Sequence, residues 1–167
     1  MIYEGMSTEA LAVVEAVRRR HDGERRNPWN EPECGHHYAR ALSSWAVLLA
    51  CSGFHYSGVE RRLKLASRIR KSSLRSFWSV PSGWGTYARS TKPQQQRIAV
   101  EVTEGKIALD QVLLQESASK QDLKTVSVRY GTETVPAKSH QDKSGRVIVF
   151  EKTLELNPEH PLAIVLS

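Results

Sequence analysis

Between His21 and Arg40 the chain runs HDGERRNPWNEPECGHHYAR, a stretch dense in carboxylates, imidazoles and guanidinium groups. It is too long and too rich in costly side chains for a simple connector, and loops of this kind tend to carry function. Glu31, as a carboxylate, can accept two hydroxyl hydrogen bonds; Arg40 presents a planar fork of donors, and Trp29 offers a flat apolar surface to a pyranose face. Together these groups suit a polar, uncharged ring. The same residues have a plainer reading, in which Glu31 or Glu33 pairs with Arg40 or neutralises a helix amino terminus and Trp29 anchors a core between two prolines. Glu33, Cys34, His36, His37 and Cys51 raise the question of a metal, but their spacing fits no established zinc pattern. Neighbouring residues on a helix project roughly 100° apart, so His36 and His37 do not converge on one ion. No metal and no other cofactor is expected.

The elements that must position this loop are two helices. Ala10, Leu11, Val13, Val14 and Val17 recur at helical spacing from Ser7 to His21, with Ser7 or Thr8 as cap and arginines at the end. A second helix is expected from about Gly35 to Ser52, with Tyr38, Leu42, Trp45 and Leu49 in one stripe and Ala41, Ala46, Leu48 and Ala50 beside it. Gly53 supplies the stop. Arg40 then lies within two turns of the helix start, on the same end as the loop. A helix apolar around most of its circumference needs neighbours on most sides, and two helices cannot provide them.

Beyond Phe54 the period changes to two. Ile98, Val100 and Val102 alternate with polar residues, as do Ile107, Leu109, Val112 and Leu114 with one break. Further strands are expected at Thr125 to Tyr130, Arg146 to Thr153 and Leu162 to Leu166, with turns at Glu104-Gly105, Gly131, Ser144-Gly145 and Asn157-Pro158. Val59 to Lys71 fits a helix or a strand equally, and Ser90 to Gln96 reads as a loop or linker. The fold class is therefore α+β. It comprises an amino-terminal α hairpin (1–57), an aromatic and glycine-rich connecting segment (58–96) and a small antiparallel β-sandwich (97–167), with the boundary between Ser57 and Pro81.

The 167 residues are 40% hydrophobic and 25% charged, a globular composition. The longest apolar run, Trp45 to Cys51, is far short of the roughly 20 residues of a membrane span, and no signal-peptide pattern opens the chain. No transmembrane segment and a cytoplasmic location are expected. Cys34 and Cys51 lie roughly 25 Å apart along one continuous helix, so they are expected as thiols. The net charge of +6 gathers at Arg18 to Arg20, Arg25 to Arg26 and Arg61 to Arg75. A basic nucleic-acid-binding adaptor is the reading this suggests, but the aromatic residues cluster elsewhere, so no nucleic acid is expected as partner.

The run RRNPWNEPECGHHYARALSSWAVLLACSGFHYSG, Arg25 to Gly58, resembles a signature of glycoside hydrolase family 116, the β-glucosidase and non-lysosomal glucosylceramidase type, near the end of its catalytic domain. YEGM at Tyr3 to Met6 and RRRHDG at Arg18 to Gly23 resemble that family's adjoining helix, and FWSVPSGWGTYA, Phe77 to Ala88, its later aromatic and glycine-rich segment. The resemblance implies that the hairpin is the last part of an α/α six-hairpin barrel. It implies a β-glucoside or glucosylceramide-like substrate cleaved with retention. Glu31 and Arg40 match positions that bind glucose hydroxyls in the minus-one subsite; His37 and Tyr38 belong to the same motif and shape the pocket. No catalytic residue is assigned in this chain, because the resemblance implies that the nucleophile and acid/base carboxylates come from upstream segments. The chain is thus expected to be a carboxy-terminal fragment, inactive alone, whose partner is the missing amino-terminal part of the same enzyme. A free-standing carbohydrate-binding module is the alternative.

Overall fold

The computed structural model describes residues 1–26, 42–69, 71–115, 123 and 125–167, within two compact units, Met1–Cys51 and Ser52–Ser167. In the first unit a 3-10 turn at Ile2–Glu4 leads into α1, Ser7–Arg20, one residue shorter than the sequence expectation. Arg18, Arg19 and Arg20 sit at the negative end of its dipole, and Arg19 pairs with Glu15 one turn back at 2.6 Å. Where a helix is expected from about Gly35 to Ser52, the described residues form α2, Leu42–Ser52, and 35–41 lie outside the described residues. Ile2, Ala10 and Ala50 form a small buried cluster, with Val47 and Cys51 against it. Leu11, Val13, Val14, Val17, Trp45 and Leu49 each keep 40 to 53% of their surface exposed, so these apolar side chains of the described helices leave about half their surface in water.

α2 stops because Gly53 takes a left-handed backbone, φ 63°. A side chain there would also place its Cβ 2.2 Å from the Ala66 carbonyl carbon, since the Ala66 N–H donates to the Gly53 carbonyl at 2.9 Å. Glycine satisfies both requirements at once.

The second unit contains β1 Phe54–Ser57, β2 Arg62–Leu65, β3 Ser73–Val80, β4 Gly83–Lys92, β5 Gln95–Gly105, β6 Ile107–Leu114, β7 Val126–Tyr130, β8 Glu133–Val135, β9 Ala137–Asp142, β10 Gly145–Leu156 and β11 Leu162–Leu166. They form a five-stranded sheet, order β1-β2-β6-β10-β9, and a six-stranded sheet, order β3-β4-β5-β11-β7-β8. Every pairing between these strands is antiparallel except β2 with β6. That exception follows from the long excursion of β3 to β5 into the other sheet, the kind of crossover a parallel pair requires. The α+β class and the sandwich therefore stand.

Residues 58–96, expected as a connecting segment, instead supply β2, β3, β4 and the start of β5. The expected linker Ser90 to Gln96 is a tight hairpin in which Lys92 pairs with Gln95. The ambiguous stretch Val59 to Lys71 resolves as a strand in its middle: Leu63 and Leu65 point into the core, while Val59 is 98% exposed. Alternation builds the core from both sheets, with Leu63, Leu109, Val112, Ile148 and Leu154 from one and Trp78, Tyr87, Val100, Leu162 and Ile164 from the other, all at most 2% exposed. Phe54 stacks on Trp78 at 5.2 Å with the rings 6° from parallel.

Candidate functional site

Glu31, Arg40, His37, Tyr38 and Trp29, the residues nominated for sugar binding, fall in 27–41, outside the described residues. The structure describes what leads into and out of them. Residues 21–26 form a turn ordered by Asp22, whose carboxylate accepts from the Arg25 N–H at 2.9 Å and the Glu24 N–H at 3.1 Å. The Arg25 backbone hydrogen bond is the chief cause holding the Asp22 carboxyl below its ordinary range. Gly23, at φ 94°, donates to the Arg26 carbonyl at 3.0 Å. The chain therefore enters the motif from a fixed turn. It leaves through α2, where burial pushes the Cys51 thiol up, away from the thiolate that a metal would need. Among the described residues no three His, Cys, Asp or Glu side chains gather as a metal site, and no helix is long and apolar enough to cross a membrane.

Among the described residues the sandwich has concavities at one sheet end and on one outer face. The first, lined by Leu65, Ser67, Tyr87, Arg89, Gln96, Ile98, Leu114 and Gln115, holds about 10 Å³. That is room for one water and not for a sugar ring. Tyr87 donates from its hydroxyl to the Ser52 carbonyl here, and desolvation pushes its pKa up to about 12 against the opposing effects of Arg89 and Ser67. Arg89 donates to the Ile69 carbonyl at 3.1 Å. These groups brace the sheet end.

The second is a shallow groove of about 610 Å³ on the outer face of the six-stranded sheet. The register places Arg75, Ala88, Ala99, Ala163 and Arg129 opposite one another in one row across β3, β4, β5, β11 and β7. The adjoining row carries Ser73, Ser90, Arg97 and Val165. Arg75, Arg97 and Arg129 are exposed, and among the described residues none lies within ion-pair distance of a carboxylate; Arg97 donates to the Gln95 side chain and Arg129 to the Thr132 carbonyl.

The chain matches no protein-family model and no curated protein. Function is therefore argued from its own residues. The motif loop was found by residue type, whereas the groove was missed: Arg75 and Arg129 are far apart in sequence, and only strand order brings them to one row. The available signal was parity. Arg75, Ala88, Ala99, Arg129 and Ala163 all stand at positions alternate to buried residues of their strands.

Proposed function

We propose that the chain is the carboxy-terminal part of a retaining β-glucosidase or glucosylceramidase-like glycoside hydrolase resembling family 116. In this reading Glu31 and Arg40 bind hydroxyls of the sugar in the minus-one subsite, Trp29, His37 and Tyr38 shape that pocket, and the catalytic carboxylates stand elsewhere in the complete enzyme. The observation that carries it is the Arg25 to Gly58 run, in which a carboxylate, a guanidinium and aromatic groups precede an apolar helix at the family's spacing. The helical unit supports it. Leu11, Val13, Val14, Val17, Trp45 and Leu49 are exposed, as helices are before the other hairpins of a barrel cover them.

The test is a chimera. Residues 25–58 replace the matching segment of an active family member, and p-nitrophenyl β-glucoside turnover is followed. Turnover is expected to persist and Arg40→Ala to lower kcat/KM by roughly 100-fold, because sugar hydroxyls lose a charged partner in a dry site. Activity within about twofold of the unsubstituted chimera would remove Arg40 from the site. A second reading, a free-standing carbohydrate-binding module, draws on the sandwich's own closed core. Calorimetric titration of the whole chain with glucose and cellobiose separates the two, since saturable heat is expected only for the module.

A further inference from the structure

We infer that the outer face of the six-stranded sheet is a docking groove for an acidic polypeptide segment carrying apolar side chains between its carboxylates. This surface is independent of the sugar-binding reading. Its floor is Ala88, Ala99 and Ala163 on three adjacent strands, with Val165 beside them. Alanine is depleted in strands, so strand propensity does not account for three of them in one cross-strand row. Their small side chains make the depression. Its rim is Arg75 at one end, Arg129 at the other and Arg97 between, each without a carboxylate partner among the described residues. Four strand spacings separate Arg75 from Arg129, roughly 19 Å, which an extended segment of about six residues spans.

An apolar centre ringed by arginine is the anatomy of a protein interface, and a guanidinium fork matches a carboxylate. Other polyanions fit less well. The alanine floor offers a nucleobase no ring to stack on. Phe77 and Trp84, paired at 6.0 Å, stand on the same face but outside the groove. The Trp84 indole N–H donates to Glu104 at 3.3 Å and Thr86 donates to Glu101 at 3.1 Å, so carboxylates that repel phosphate accompany those rings.

Fluorescence anisotropy on the full chain tests this with a labelled six-residue peptide alternating Glu and Leu. A Kd on the order of 100 µM at low salt is expected. Arg97→Glu should weaken binding at least about tenfold by reversing the central charge. Ala163→Trp should do the same by filling the floor, with far-ultraviolet circular dichroism unchanged in both variants. No binding of the peptide, or binding unaltered by both substitutions, overturns the proposal. So does equal affinity for a Glu and Ser peptide, which would make the groove a basic patch without a floor. Tighter binding of a thymidine oligonucleotide that Arg97→Glu abolishes would assign the face to nucleic acid and overturn it too.

Discussion

The two units bury the same kinds of residue to opposite extents. In the sandwich Leu63, Leu109, Val112, Ile148 and Leu156 are wholly inaccessible, while in the helices Val13, Val17, Trp45 and Leu49 keep about half their surface in water. Hydrophobic stabilisation scales with area removed from water, so the strands close their own core and the described helices do not. An apolar stripe in a sequence therefore states a need for burial, and the rest of the polypeptide decides whether that need is met.

Substitutions break or sharpen this contrast. The largest effect is expected in the sandwich, from Trp78→Ala, which removes a side chain 1% exposed and stacked on Phe54 and should cost about 4 kcal/mol in urea unfolding. Gly53→Ala is next, about 3 kcal/mol by the same measurement. The left-handed backbone disfavours a side chain, and the backbone at Ala66 has nowhere to retreat. Alkali supplies a third. Tyr87 holds its proton in the folded state up to about 12, above its ordinary 10, so its contribution is complete below pH 10 and is lost as pH rises from 10 to 12. The loss should be about 2 kcal/mol at most and should vanish in Tyr87→Phe, read from urea midpoints across that window. The smallest effect belongs to the helices: Leu11→Ala, at a side chain 41% exposed, should change stability by less than about 0.5 kcal/mol. A cost above about 2 kcal/mol there would mean that α1 is packed as tightly as the strands.

Much of the fold was legible because alternation is a local signal. β5, β6 and β7 lie where Ile98, Val100 and Val102, Ile107 and Leu109, and Val126 and Val128 recur at every second position, β10 and β11 lie where the apolar stretches at Val147–Val149 and Leu162–Leu166 stand between turn signals, and α1 begins where its apolar residues take up helical spacing. β3 and β4 were hidden, since Gly83, Gly85 and the turn at Pro81 suggested a connector. Gly85 is there for packing: a Cβ would fall 1.9 Å from the Glu101 carbonyl oxygen across the strand pair. Leu63 and Leu65 stayed ambiguous because four residues are too few to separate a strand from a helical turn. Of the site, Glu31, Arg40 and Trp29 were nominated by their chemistry and His37 and Tyr38 by the family resemblance, and all lie outside the described residues, whereas the arginine-rimmed groove depends on a strand order that no local pattern encodes.

Hydrogen exchange on the whole chain, followed by mass spectrometry, tests the contrast between the units most directly. Amides of β5, β6, β10 and β11 should exchange at least about 100-fold more slowly than those of α1 and α2, because strands within a closed core open only with global unfolding. Equal protection of α1, α2 and the central strands would contradict it.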